Sequence, residues 1–380
     1  MRHQPGVVVL AARRLPQGSY GGKLAGRGAV GLGLQAVRGL LEEPSLPRPG
    51  RLIWGMARSH TQGMNPARTL AVQAGLPLET PAFTVNMACG SSLQALLLGA
   101  RELAQPGAPP VLIGGSEAMS DTPHLLPGLR WGLRMGHRVA PDVMHQDGLR
   151  CPLTGLLMGE TIERLAAKRG IRREEADRWA AESHRRAHRA AFQPELIPDP
   201  ALDRDEPVRP EVSAEELAKL PPVFLSEGQV TAGNASALAD GAAALLLSRR
   251  EDAGEVRPLA RILGWAEAGV DPMDMGEAPV PAIRKLMGQQ GLDVKDIDLW
   301  ELNEAFAAQL LVCQRQLDLP EDRLNVAGGG VALGHPIGAS GARIVVTLIH
   351  QLRARGGGLG VAALGIGGGL GLALLVEVDG

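Results

Sequence analysis

A lone cysteine, Cys89, stands in "VNMACGSSLQALLLGA", where apolar residues give way to small polar ones and then to leucines and alanines. Read as a strand, a turn and the start of a helix, the segment puts the thiol at the positive end of a helix dipole, which favours the thiolate. Gly90, Ser91 and Ser92 leave room for a substrate to approach. Two roles fit such a residue: a nucleophile for covalent catalysis, or a small buried hydrophobe. A nucleophile needs a base. Of the nine histidines, His335 in "GGGVALGHPIG" is the best placed, for a reason that lies in how the chain repeats itself. Cys151, in an irregular loop, and Cys313, on an apolar helix face after "NEAFAAQLL", read as structural.

The elements that must position this pair come in two similar sets. Residues 83 to 120 read as strand (FTVNMA), a turn at Cys89, helix (SLQALLLGARELA), a Gly/Pro break and strand (PVLIGG). Residues 324 to 370 follow the same order: strand (LNVAG), loop (GGVALGHPIG), helix (ASGARIVVTLIHQLRA), a glycine break at 356 to 358, and strand (LGVAALGI). Fully apolar strands around a helix mark an α/β sheet buried on both faces. Two such halves packed about an approximate two-fold axis bring the Cys89 and His335 turns together. Between them the chain changes to short pieces rich in Pro, Met, Trp and charge, an excursion of the kind that holds substrate. Inside it, "REEADRWAAESHRRAHRAA" reads as an amphipathic helix with a solvated basic face. The expected division is a first half at 1–120 and 248–255, the excursion at 121–247, and a second half at 256–380.

A chain of 380 residues with 45 % hydrophobic content can bury a large core. A formal net charge of −2, with acids and bases interspersed, leaves no electrostatic footprint for nucleic acid or anionic lipid. The expected partner is a small molecule or another copy of the chain. Three scattered cysteines without metal spacing fit a reducing cytoplasm and no metal site. "MRHQPGVVVLAARRLPQ" reads as a first strand, its apolar run being too short for the core of a signal peptide. Residues 356–376 carry no charge and are long enough to cross a bilayer. Three central glycines weaken a helix there, so two short strands joined at a glycine turn are expected, and no membrane span.

Six stretches, "VNMACGSSLQAL", "GGSEAMS", "RWGLRMG", "VTAGNASALADGAAALLL", "ELNEAFAAQ" and "GGGVALGHPIGASGARI", resemble in order the signature blocks of the thiolase family, and "RLPQGSYGG" resembles its opening turn. The resemblance implies acyl transfer through a cysteine, joining or cleaving carbon chains carried on coenzyme A. It implies a five-layered αβαβα sandwich of two duplicated halves with an inserted loop domain, in agreement with the repeat. By motif, Cys89 would be the acylated nucleophile and His335 its base. Asn303 of "NEAF" would hold a water that forms one oxyanion hole with His335, and the backbone N–H groups of Cys89 and Gly367 the other. Arg209 would lie near the adenine end of coenzyme A, and Phe224 and Ser236 along the pantetheine. From residue type alone, Phe224 is equally a core residue and Arg209 a surface charge. The resemblance further implies acyl-CoA as substrate with no permanently bound cofactor, and a homodimer or homotetramer.

One departure bears on mechanism. Where the family has a second cysteine, in a turn written Cys-x-Gly-Gly-Gly, this chain has "GIGGG" with Gly365 in its place. In the family that thiol moves a proton to and from the substrate carbon. Glycine carries none, and loss of a positioned acid/base slows a step about a hundred- to ten-thousand-fold. A glycine entering this turn also suits a backbone at positive φ. Ser92 and Ala237 stand where glycine is usual, a change expected to narrow the acyl or pantetheine channel. Three readings follow. The first is an acyl-CoA C-acyltransferase, for thiolytic cleavage or Claisen condensation, whose acid/base is replaced or relocated, with Cys151 or Cys313 as candidates. The second is a hydrolase or acyl-handover enzyme using Cys89 without a carbon–carbon step. The third is an inactive paralogue serving as a subunit or binding partner.

Overall fold

The computed structural model describes residues 6–380, so the first five residues of the N-terminal strand reading lie outside it. The first half runs β1 (Val7–Arg14), β2 (Gly18–Ser19), α1 (Gly28–Leu41), β3 (Arg51–Gly55), α2 (Pro66–Gln73), β4 (Ala82–Val85), α3 (Ser91–Glu102) and β5 (Val111–Ala118). The excursion carries α4 (Met158–Arg169), α5 (Arg173–Arg189) and α6 (Ala214–Leu217). Then come β6 (Ala239–Arg249), β7 (Ala260–Gly269), α7 (Pro279–Gln290), β8 (Leu299–Leu302), α8 (Ala307–Leu317), α9 (Gly330–Leu333), α10 (Ser340–Ala354), β9 (Gly358–Ile366) and β10 (Leu370–Val378).

The strands join in the order β4-β3-β5-β6-β1-β7-β10-β9-β8, with β2 on β6. β3 runs parallel to β4 and β5, and β8 to β9, while β1, β6, β7 and β10 pair antiparallel with their neighbours. Outward from the β1·β7 junction the two sides mirror each other. Leu324, bridged to Trp300 of β8, takes the edge place that β4 holds in the first half. This is the two-fold relation implied by the repeat.

Successive strand residues point to opposite faces, and both faces are covered. In β6, Ala243, Leu245 and Leu247 join the cluster around α3 and α10, whereas Ala244 and Leu246 pack with α1 and α2. In β10, Leu372, Leu374 and Val376 face that same central cluster, and Ala373 and Leu375 face α7 and α8. Five layers result: α1 with α2, the first half-sheet, α3 with α10, the second half-sheet, and α7 with α8. Burial on both faces is why these strands read as continuous apolar runs.

The uncharged stretch at 356–376 forms the β9–β10 hairpin, paired from Gly358↔Val378 to Ile366↔Leu370. Gly368 and Gly369 make its turn at φ +92° and +85°, where a side chain would be strained. No described helix is long and apolar enough to cross a membrane.

Two sequence expectations are corrected. Residues 239–247 belong to β6, which pairs with β1 and β5, so the excursion ends at 238. Its run "ADGAAALLLSR" is core because both of its faces are covered. On α5 the basic face is only partly solvated: Arg173 bonds Asp177 at 2.6 Å, and Arg186 donates to Leu324 O at 2.6 Å.

Candidate active site

Between β4 and α3 the chain turns within residues 86–90. Asn86 Oδ1 accepts the Ala88 N–H at 3.0 Å, while Ser91 Oγ accepts the Met87 N–H at 2.9 Å and donates to Ala88 O at 2.7 Å. These bonds hold Ala88 at φ +46°, a left-handed conformation that costs a non-glycine residue about 1–2 kcal/mol. The next residue is Cys89, half-buried at the start of α3. Burial pushes its thiol up; the backbone N–H of Gly367 and the charge of Arg58 pull it back only in part. The lowered pKa expected from the helix terminus is therefore overturned, because desolvation outweighs the dipole and the donors. Cys89 rests as a thiol and needs a base.

His335 sits in the turn between α9 and α10. Its Nδ1 lies 2.5 Å from Ser340 Oγ, which donates its own hydrogen to Pro336 O at 2.9 Å. Ser340 can then only accept from Nδ1–H, which leaves the lone pair on Nε2. Burial first, then Arg343 and Arg58, bring the imidazole down to about 3, so it is neutral and able to take a proton. Asn303, directly after β8, places Nδ2 3.5 Å from Nε2. Its buried Oδ1 has no partner among the described residues.

Three buried carboxylates hold this arrangement. Glu117 Oε2, at the end of β5, accepts the N–H groups of Ala57 at 3.0 Å and Gly338 at 2.8 Å, and Oε1 accepts that of Arg58 at 3.0 Å. Glu304 accepts from Trp179 Nε1 at 2.9 Å, Ser183 Oγ at 2.7 Å and Asn325 Nδ2 at 2.8 Å, locking α5 onto the second half. Glu163 of α4 accepts the N–H groups of Gln229 and Val230 at 2.8 Å and so fixes the segment that carries Phe224. None of the three was singled out from the sequence, since their partners lie far along the chain: 221 positions for Glu117 and Gly338, 66 for Glu163 and Gln229.

Cys89, His335, Gly365, Gly367, Phe224 and Ser236 line one cavity of about 500 Å³. Its walls are otherwise largely apolar. The Phe224 ring meets Phe306 edge-on, with centroids 6.2 Å apart, and Gly159 makes room for it, because a Cβ there would stand 2.1 Å from the ring. Arg209 is not brought in: it is exposed, outside the lining, and its N–H donates to His184 Nδ1 at 3.1 Å. Ser92 does not narrow the cavity, since its buried Oγ accepts the Ala342 N–H at 2.9 Å; Ala237 does line it. Gly365 lies within β9 opposite Gly371 and has no positive φ, so backbone conformation does not require glycine there.

Neither spare cysteine reaches the gap. Cys151 is buried outside the lining. Cys313 donates to Gly276 O at 3.3 Å, and burial pushes its thiol up to about 12. Among the described residues, the titratable ones in the lining are Cys89, His335 and His145. His145 was missed from the sequence because it stands in an irregular stretch without periodicity or motif. Among the described residues no group of His, Cys, Asp and Glu is arranged to hold a metal.

Residues 7–251 match the family model of the thiolase N-terminal domain, and residues 256–378 that of the C-terminal domain. The chain is 45 % identical to an acetyl-CoA acetyltransferase of Chromobacterium violaceum, over 98 % of this chain and 99 % of that protein. It is 43 % identical to a probable acetyl-CoA acyltransferase of Staphylococcus aureus, over 94 % and 98 % respectively. The crystal structure of human mitochondrial 3-ketoacyl-CoA thiolase in complex with CoA aligns over 99 % of each chain, at a TM-score of 0.95 and 39 % identity.

Proposed function

Because the chain belongs to the thiolase family, we propose that it is an acyl-CoA C-acyltransferase that carries the acyl group on Cys89. The observation that supports this best is the meeting of Cys89, a neutral His335 and Gly367 in one largely apolar cavity. Nε2 of His335 takes the thiol proton, and the thiolate attacks the carbonyl of the substrate. Negative charge then builds on the carbonyl oxygen. The N–H groups of Cys89 and Gly367 make one set of donors for such an oxygen, and protonated Nε2 with a water on Asn303 the other. Removing one such donor typically costs about 2.7–4 kcal/mol of transition-state stabilisation.

In thiolytic cleavage the carbon–carbon bond breaks, the α-carbon takes a proton, and the thiol of CoA accepts the acyl group from Cys89. Claisen condensation is the reverse. Phe224 and Ser236 flank the pantetheine, and Arg209, outside the cavity, meets the adenine end. The assembly is a homodimer or homotetramer. Since no thiol stands at position 365, proton transfer at carbon is the vulnerable step. That glycine favours a second reading, hydrolysis or acyl handover from Cys89.

Mass spectrometry after incubation with acetyl-CoA and longer acyl-CoAs tests the proposal. One acyl mass is expected on the peptide spanning residues 83–100, and none in Cys89→Ala. Acylation that persists in Cys89→Ala overturns it.

A further inference from the structure

Breaking the carbon–carbon bond calls for a group that gives a proton to the α-carbon and later accepts one. Of the three titratable side chains that line the cavity among the described residues, Cys89 carries the acyl group. His335 is committed through Nδ1 to Ser340 and through Nε2 to the cysteine's proton. Glu117, behind them, has both oxygens occupied by backbone N–H groups. His145 is left.

It opens the wide helical turn His145–Leu149, whose Gly148 and Leu149 also line the cavity. Both ends of the turn are pinned beside the nucleophile, because Met144 and Leu149 share one apolar cluster with Cys89 and Ile337. The middle lies on Arg58: a Cβ on Gly148 would stand 2.5 Å from Nη2. The imidazole is exposed and also lines the cavity, a position suited to exchanging protons between substrate and solvent. Imidazole is the side chain that both donates and accepts near neutral pH.

We propose that His145 is the second acid/base of this site, a role that rests on the acyltransferase reading. In cleavage, the Cys89 thiolate adds to C3 and the C2–C3 bond breaks with its electron pair on C2. His145, as imidazolium, gives its proton to C2, and acetyl-CoA leaves. Neutral His145 then takes the thiol proton of incoming CoA. The resulting thiolate attacks the acyl-Cys89 carbonyl, and released Cys89 regains its proton from His335. One 3-ketoacyl-CoA and one CoA thus give acetyl-CoA and a shortened acyl-CoA, and both histidines return to their starting states.

The test measures two reactions in wild type, His145→Ala and His145→Gln: acyl-Cys89 formation from acyl-CoA, and thiolysis of acetoacetyl-CoA. Both variants should slow thiolysis about a hundredfold or more. Acylation should change no more than a few-fold, because a thiolate departs unaided whereas a carbanion does not. Added imidazole should restore part of the thiolysis in His145→Ala. Wild-type thiolysis in the variants overturns the proposal, as does an equal, unrescued loss of both reactions, which marks a structural role. A wild type that acylates Cys89 but never thiolyses also overturns it while leaving acyl transfer standing. Absence of acylation in the wild type sinks the acyltransferase reading, and this proposal with it.

Discussion

Glu117 Oε2 lies 2.8 Å from the N–H of Gly338, a bond across the two halves of the sandwich that sets the His335 turn against the Cys89 turn. The same carboxylate holds Ala57 and Arg58, so one group registers three loops. Glu117→Gln puts an amide donor where acceptors are needed and leaves a buried N–H unmatched, at about 1–3 kcal/mol. A lower melting temperature together with slower Cys89 acylation is expected. A variant unchanged in both would show that the turns hold their register without the clamp.

Ser340→Ala removes the acceptor that fixes the proton on Nδ1 of His335. With Nδ1–H unpartnered, the imidazole turns and spends time with its lone pair facing away from Cys89. A wrong tautomer in a comparable nucleophile–base pair costs about 10⁴ in rate. Here the ring keeps both tautomers, so a loss of ~10- to 100-fold in acylation is expected, with CoA affinity little changed. An undiminished acylation rate would remove Ser340 from the mechanism.

Acid should reveal His335 as a buried neutral histidine. Its folded pKa is about 3, against about 6.5 for the unfolded chain. Between those values the unfolded state binds a proton that the folded state does not, so stability falls as pH falls through that window. The share of His335 amounts to about 2 kcal/mol between pH 7 and 5. His184, brought down to about 4 by burial and Arg209, acts in the same direction in any variant that retains it. Urea unfolding at several pH values should therefore show wild type losing more stability on acidification than His335→Asn. Parallel curves would contradict the assignment.

What the sequence reveals and what it hides divide along physical lines. The two duplicated α/β halves and the pairing of the Cys89 and His335 turns are legible because each half repeats a strand, a small-residue turn and a helix, all local patterns; the five layers followed only from the resemblance to the thiolase family. Glu117, Glu163 and Glu304 are hidden because their partners, backbone N–H groups for the first two and mainly side-chain donors for Glu304, are brought near only by folding. His145 is hidden for the same reason, in a stretch with neither helical nor strand period. The thiol of Cys89 illustrates a competition that local pattern cannot decide: a helix terminus lowers the pKa, burial raises it, and only the folded cavity shows that burial prevails. Position 247 failed as a boundary because nothing in an apolar run distinguishes an excursion's end from a strand buried on both faces.

Gly159→Ala tests the wall of the cavity. The residue lies in the first turn of α4, where alanine suits the helix better than glycine by about 1 kcal/mol. Its Cβ would nevertheless stand 2.1 Å from the Phe224 ring, which must move. A folded protein of somewhat lower stability is expected, since displacing the ring costs about 1–3 kcal/mol, with the KM for CoA substrates raised about tenfold and kcat less affected. An unchanged KM would argue that Phe224 does not touch the pantetheine.

Gly365 and His145 line the same cavity. If position 365 is where a proton carrier once faced the α-carbon, a thiol restored there should take over when the imidazole is removed. The backbone allows it: Gly365 sits in β9 without positive φ, and a Cβ would stand 3.0 Å from Met275 O and 3.4 Å from Pro279 Cδ. Those neighbours must give by a few tenths of an ångström, so melting curves come first. In a folded His145→Ala/Gly365→Cys protein, acetoacetyl-CoA thiolysis should recover about tenfold or more over His145→Ala, with little further change in acylation. Gly365→Cys alone should gain much less, because His145 already supplies the proton. A folded double variant no faster than His145→Ala would mean that position 365 does not reach the α-carbon, and the reading of its glycine as a lost acid/base would fall.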